Sequence, residues 1–305
     1  MPCYKFDPTG DIPGLSGKVF FITGGTAGIG KESIKLLSQH QPTHIYFSGR
    51  DSKRADSVIE EVKAISPDAQ ITFLQCNLGS LASMKEAATK FISLSSRLDV
   101  LVCNAGIMAV PPSLTTDGYE VQFGTNHIGH ALLIKLLLPT LLRTAEEPNS
   151  DVRIVSLTSQ GHFLRPSGGI QFDGLRQAEA IGTAFTRYGQ SKLANILYAS
   201  ELARRYPNII SVSIHPGIVG TGLAYSGTTQ FTKLVYVLTA AWREITPEQG
   251  SYNQIWAATS ERGKLVNGRY YEPVGVLTKP AKEALDEELA KRLWEWTEEE
   301  LKGWL

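Results

Sequence analysis

Apolar positions along this 305-residue chain follow two alternating patterns. Short β-branched and aromatic runs at 18–23, 43–48, 70–75, 99–103, 151–157, 209–214 and 269–273 predict seven strands. Helix-period patterns lie between most of them, as with Ile34, Leu36 and Leu37 after the first run. Repeated strand-helix alternation predicts an α/β fold, a doubly wound parallel sheet with helices on both faces. Ligands of such sheets sit beyond the carboxyl ends of the strands. With no long linker, repeat or low-complexity tract, 18–305 reads as a single domain, and residues 1–17, rich in Pro and Gly, read as an N-terminal arm.

Two stretches carry candidate chemistry at those strand ends. The first strand runs into Gly24-Gly25-Thr26-Ala27-Gly28-Ile29-Gly30 and then into a helical pattern. Strand, glycine turn and helix is the order of a dinucleotide site: glycines let the backbone approach a diphosphate, and the helix N-terminus meets its charge. The second stretch is Tyr188-Gly189-Gln190-Ser191-Lys192. Four residues apart on a helix, phenol and ammonium share a face, so the ammonium should favour the ionised phenol. A unit charge about 4 Å away at an effective dielectric of about 20 is worth about 4 kcal/mol, an upper bound of roughly three pK units from the phenol's usual value near 10. The expectation is a tyrosine tuned toward the pH range of acid-base work.

Together, Thr23-Gly24-x-x-x-Gly28-x-Gly30 and Tyr188-x-x-x-Lys192 resemble the short-chain dehydrogenase/reductase family, and further stretches agree in order. Asn104-Ala105-Gly106 is similar to the family's strand ending beneath the cofactor, and Asn126 in Thr125-Asn126-His127 matches the helix asparagine of its catalytic tetrad. Ser159 matches the catalytic serine at a strand end, and His215-Pro216-Gly217-Ile218-Val219-Gly220-Thr221 is similar to the segment flanking the nicotinamide. The resemblance covers residues 18 to about 275 and implies a single Rossmann-type domain. The tail aromatics Trp294 and Trp296 resemble those of the retinol-dehydrogenase-like and fungal branch, with secondary metabolism as the expected setting.

The resemblance implies catalytic roles for Asn126, Ser159, Tyr188 and Lys192. Tyr188 would move a proton to or from the substrate oxygen, and Ser159 would hydrogen-bond that oxygen. Lys192 would bind the nicotinamide ribose and lower the tyrosine pKa, while Asn126 would hold a water linking Lys192 to solvent. Cofactor contacts are expected from Gly24, Thr26, Gly28, Ile29, Gly30, Arg50, Asn77, Leu78, Asn104, Ala105, Gly106, Tyr188, Lys192, Pro216, Gly217, Val219 and Thr221.

Cofactor choice follows from the end of the second strand. A ribose-binding carboxylate there would repel a 2′-phosphate, whereas this chain has Gly49-Arg50, followed by Lys53 and Arg54. Asp51 reads as a helix cap. NADP(H) is therefore expected over NAD(H). Two departures stand against the family pattern: Asn77 where Asp is usual, which accepts the adenine hydrogen bond without charge, and Ala27 where some NADP-dependent relatives carry a basic residue.

Substrate-shaping segments are expected at 160–187, with Pro166, Gly168, Gly169, Phe172 and Gly174, and at 218–245, with Leu223, Tyr225, Phe231, Leu234, Tyr236 and Leu238. The second reads as an apolar lid, so the expected activity is a ketoreductase or alcohol dehydrogenase acting on a bulky hydrophobic small molecule. A redox-neutral isomerase, lyase or cyclase on the same fold is the alternative, as is a cofactor-sensing scaffold without turnover. His127 and His130 read as core residues, His215 as a strand terminus, and Trp256, Trp294 and Trp296 as helix-face packing; His162 is a candidate pocket residue.

Composition changes this picture little. Hydrophobic residues at 42% and charged ones at 20% are ordinary for a soluble domain, and a formal net charge of zero gives no electrostatic basis for a nucleic-acid or anionic-membrane partner. No apolar run of about 18 residues and no signal-peptide core is read from the sequence, so an integral membrane segment is not expected and a cytoplasmic protein is. Cys3, Cys76 and Cys103 read as reduced thiols, with no metal-ligand spacing. Relatives pair through the helices carrying Asn126 and Tyr188, so the resemblance implies a homodimer or homotetramer.

Overall fold

The computed structural model describes residues 6–220 and 244–305. Its strands are β1 (Val19–Thr23), β2 (His44–Gly49), β3 (Ile71–Gln75), β4 (Val100–Cys103), β5 (Arg153–Leu157), β6 (Ile210–Ile214), β7 (Tyr270–Glu272) and β8 (Val276–Leu277). They form one sheet in the order β3-β2-β1-β4-β5-β6-β7-β8, parallel except for the antiparallel β7–β8 pair. Seven strands match the expected runs; β8 was missed because two residues show no period.

Both sheet faces are covered, which explains the unbroken apolar runs. Along β1, Val19 and Phe21 enter one core while Phe20 and Ile22 enter the other. β4 divides likewise, with Leu101 and Cys103 opposite Val100 and Val102. The helices are α1 (Pro8–Asp11), α2 (Gly28–Ser38), α3 (Ser52–Ile65), α4 (Leu81–Leu94), α5 (Val121–Ala145), α6 (Ala184–Arg205), α7 (Pro247–Thr259) and α8 (Glu287–Leu301). The first core holds buried residues of α4, α5, α6 and α8; the second holds those of α2, α3 and α7.

The described part of the N-terminal arm joins this second core. Phe6, Ile12 and Leu15 are buried there, and Phe6 lies 5.3 Å from Tyr252 of α7, ring to ring. Burial of side chains of this size is worth roughly 1.5–3 kcal/mol each, enough to hold the arm down. By length and composition α5 would suffice to cross a membrane, which the sequence reading did not register. Most of its apolar side chains are instead used inside the protein, Leu132, Leu133, Leu137 and Leu141 among them.

The order of strands reverses between β1 and β4: β2 lies on one side of β1 and β4 on the other. That switch opens a crevice beyond their carboxyl ends, and the turns after β1, β4, β5 and β6 converge on it.

Candidate active site

The turn after β1 is built from close backbone approaches. Gly24 and Gly28 have φ of 70° and 54°, in the left-handed region where a side chain would strain the backbone. A Cβ on Gly24 would come within 2.9 Å of Ala105 Cβ, and one on Gly30 within 2.4 Å of the Gly24 carbonyl oxygen. The turn is thereby pressed onto Asn104-Ala105-Gly106. Asn104 Nδ2 donates to the Thr23 carbonyl at 2.8 Å, and the Ala105 N–H donates to Thr23 Oγ1 at 3.0 Å.

Two groups are left open in this cradle. The N-cap of α2 is Ala27, which offers no side-chain bond to the first turn of N–H groups. Asn104 Oδ1 is buried and has no partner among the described residues. An uncapped helix start behind a glycine turn, with a spare buried acceptor beneath it, fits the diphosphate arm of a dinucleotide.

At the rim of the crevice, Thr26, Arg50, Asp51, Ser52, Lys53 and Arg54 line a cavity of roughly 620 Å³. Gly49 is required there, since a Cβ would meet Thr26 Cγ2 at 2.6 Å. Asp51 caps α3 as expected, accepting the Arg54 N–H at 3.1 Å, which leaves the exposed Arg50 as the first cation facing the cavity. Asn77 is exposed, and its Oδ1 accepts the Gly79 N–H at 3.1 Å; part of its acceptor capacity is spent on the turn, while the neighbouring Leu78 is buried.

Deeper in, Asn126, Ser159, Tyr188 and Lys192 come together from three elements. Asn126 lies in the π-helical turn Gly124–Ile128 of α5. Its Oδ1 accepts the Ile107 N–H at 2.8 Å, and its Nδ2 donates to the Ile107 carbonyl and to Ser191 Oγ, each at 2.9 Å. The side chain thus clamps the segment after Gly106 onto α6, more than the water-holding role foresaw. A Cβ on Gly106 would lie 3.0 Å from Asn126 Oδ1 and 3.4 Å from Lys192 Nζ, so these three groups are neighbours.

Ser159 Oγ accepts the Gly161 N–H at 3.0 Å and acts on the neighbouring Tyr188 phenol. Gly161 lies flat against the tyrosine ring, where a Cβ would come within 2.7 Å, and a Cβ on Gly189 would lie 2.6 Å from the Gly161 carbonyl. Both glycines are needed to bring the turn after β5 down onto α6; no periodicity marks them in the sequence. Lys192 Nζ sits 5.7 Å from the Tyr188 ring centre and donates to the Leu157 carbonyl at 3.0 Å, which Asn195 Nδ2 shares at 3.1 Å.

The electrostatics correct one expectation. Lys192 was expected to hold the Tyr188 pKa down, but burial pushes the phenol up to about 12, with Ser159 opposing it. Burial also pulls the Lys192 ammonium down to about 8. Each charge loses more by leaving water than the spacing argument allowed. At pH 7 a group titrating near 8 is still about nine-tenths charged, so the corner holds a neutral phenol beside an ammonium.

After β6, Gly217 has φ of 97°, Pro216 and Val219 are buried, and Val219 bridges to Ile245. A Cβ on Gly250 of α7 would lie 2.6 Å from Val219 and 3.4 Å from Ile29, so both expected cofactor residues meet at that unforeseen glycine. Thr221 and the lid residues Leu223, Tyr225, Phe231, Leu234, Tyr236 and Leu238 lie outside the described residues.

Several secondary expectations resolve plainly. His127 and His130 are buried core residues; His130 bridges Thr23 Oγ1 at 2.9 Å and the Asn126 carbonyl at 3.0 Å. Trp294 stacks on Tyr198 at 4.9 Å and Trp256 packs on Tyr271 at 5.0 Å. The Phe172 ring lies 6.0 Å from that of Trp296, with the Arg292 guanidinium 4.3 Å over it. His162 is fully buried instead of lining a pocket. α8 packs on α6, with Trp294 on Tyr198, and reaches α5 where His127 Nε2 lies 3.1 Å from Thr297 Oγ1. Among the described residues, no three His, Cys, Asp or Glu side chains gather as metal ligands.

A family model described as short chain dehydrogenase matches residues 18–170. A short-chain dehydrogenase/reductase of Aspergillus calidoustus, drtF, is 37% identical, covering 95% of this chain and 96% of its own. An uncharacterized oxidoreductase of Schizosaccharomyces pombe is 38% identical, over 92% and 84% respectively. Among solved structures, an uncharacterized protein from Mycobacterium paratuberculosis superposes with a TM-score of 0.75 at 27% identity, covering 97% of each chain.

Proposed function

This chain belongs to the short-chain dehydrogenase/reductase family, and we propose that it is an NADP(H)-dependent oxidoreductase interconverting a ketone or aldehyde with an alcohol on a bulky hydrophobic small molecule. The observation that carries this reading is the convergence of Ser159, Tyr188 and Lys192 at the crevice beside the glycine turn. Gly24, Gly28, Gly30 and the first turn of α2 would hold the diphosphate, and Lys192 the nicotinamide ribose. The cofactor, when bound, supplies or takes the hydride.

The chain's own residues handle the proton. Ser159 Oγ accepts the Gly161 N–H, which orients the hydroxyl, and its O–H would donate to the substrate oxygen. Tyr188, kept in its phenol form by burial, is poised to give its proton to that oxygen as it becomes an alkoxide. The Lys192 ammonium stabilises the phenolate left behind, and Asn126 keeps Ile107 and Ser191 in register around it. Arg50, with Lys53 and Arg54 beside it, would fork onto the 2′-phosphate in the polar cavity at the rim. The hydrophobic substrate class rests on the composition of 218–245. A cytoplasmic setting accords with Cys76 and Cys103, both free and buried.

The test is NADPH absorbance during incubation with a panel of bulky hydrophobic ketones and aldehydes. Consumption matched by alcohol formation is expected; product without net NADPH loss would establish the redox-neutral alternative instead. Direct titration should give tighter binding of NADPH than of NADH, and equal affinities would remove Arg50 from its assigned role.

A further inference from the structure

One residue that the reaction does not touch grips the catalytic serine twice. The Ser159 carbonyl accepts the His162 main-chain N–H at 3.0 Å and lies 2.7 Å from His162 Nδ1. The other ring nitrogen, Nε2, accepts the Ala281 N–H at 3.1 Å. A nitrogen that accepts carries no proton, so Nδ1 holds it and the ring is neutral. The ring is fully buried, with Phe163 at 4.2 Å and Tyr270 edge-on at 5.3 Å. Arg165, Glu272 and His215 are the charged and titratable groups acting on it besides Tyr270, and burial keeps its pKa below the usual histidine value.

Two more ties hold the same turn to the C-terminal part of the chain. Gln160 Nε2 donates to Glu272 Oε1 at 3.1 Å, and Arg165 pairs with Glu283. The turn 159–165 is therefore suspended from β7 and from the segment between β8 and α8.

We propose that His162 is a positioning residue: it fixes the Ser159 carbonyl, and with it the aim of the Ser159 hydroxyl beside Tyr188, using Ala281 as the anchor. This rests on the assignment of Ser159 and Tyr188 made above. The Ser159 carbonyl and hydroxyl belong to one tight turn, because Oγ bonds the Gly161 N–H two residues on. Gly161 is pressed between the tyrosine ring and Gly189, so the turn has no room to compensate a shift. A misplacement of about 1 Å at reacting groups can cost about 10² in rate.

Asparagine and glutamine each reproduce one half of the imidazole, which separates aim from packing. His162→Asn puts an amide where Nδ1 stands and keeps the Ser159 bond; His162→Gln puts it where Nε2 stands and keeps only the Ala281 bond. We expect kcat within about threefold of the parent for His162→Asn, and about 10- to 100-fold lower for His162→Gln and His162→Phe, with NADPH affinity unchanged in all three. Equal losses in the Asn and Gln variants, or a more active Gln variant, would overturn the proposal in favour of packing alone.

Ser159→Ala, measured alongside, distinguishes the two levels. Full activity there defeats the serine's own role, whereas an inactive Ser159→Ala beside a fully active His162→Gln defeats only the positioning by His162.

Discussion

The crevice has a cation at each end, and they work under opposite conditions. Arg50 is exposed at the rim of a polar cavity, whereas Lys192 is 3% exposed and hydrogen-bonded to a buried carbonyl. The rim cation keeps its hydration and acts through water, so its pull on an anion is modest and salt-screened. The inner cation has lost its hydration, which lowers its pKa to about 8 and makes its charge costly to keep. Affinity for a charged cofactor can be supplied by exposed groups at little cost to the fold. Proton chemistry needs the dry corner, and the fold bears the cost.

The largest effect should come from the corner. Tyr188→Phe deletes the proposed proton donor while leaving the ring on Gly161, so kcat should fall by about 10² to 10⁴ with NADPH affinity retained. Steady-state kinetics beside a cofactor titration reads this directly, and a fully active variant would remove Tyr188 from the mechanism. At the rim, Arg50→Ala should weaken NADPH binding by about 10-fold or more, leave NADH binding nearly unchanged and barely move kcat. The NADPH-to-NADH ratio of dissociation constants should also shrink as salt is raised; a salt-independent ratio would argue against an exposed contact.

Stability should sharpen the contrast in the reverse sense. Lys192→Met replaces a buried ammonium by an apolar chain, so turnover should be lost while the cofactor-free protein gains about 1–3 kcal/mol at pH 7. The sign follows from the lowered pKa. Below pH 8 both folded and unfolded chains hold the proton and the parent bears the full burial penalty. Between about 8 and the ordinary 10.5 the unfolded chain binds more protons, so parent stability rises with pH and the variant's advantage fades. Denaturant melts at pH 7 and pH 10 would show it; an advantage that persists at pH 10 would mean packing and not charge. Smallest of all, Arg50→Ala should change stability by no more than about 0.5 kcal/mol, as for exposed substitutions in general.

Legibility in the sequence tracked how local each feature is. The glycine turn, the strand runs and the Asp51 cap are set by neighbours within a few residues, and each lies where the reading put it. Tyr188 and Lys192 share a helix face as their spacing requires, yet the direction of the phenol pKa was missed, because desolvation depends on what other elements lay over the helix. Gly161 and Gly189 carried no pattern of their own; their need shows only when the turn after β5 meets α6.

By itself the sequence determined the alternation of elements, the glycine bend after β1 and the residue types available for acid-base work, since period, turn chemistry and side-chain functionality are written locally. Tertiary structure decided which charges are stripped of water and which segments hold the turn after β5. The clearest case is His162 joined to Ala281 across 119 positions of chain. Such a contact leaves no mark in either stretch, because it exists only once the sheet has brought the two together and excluded water from between them.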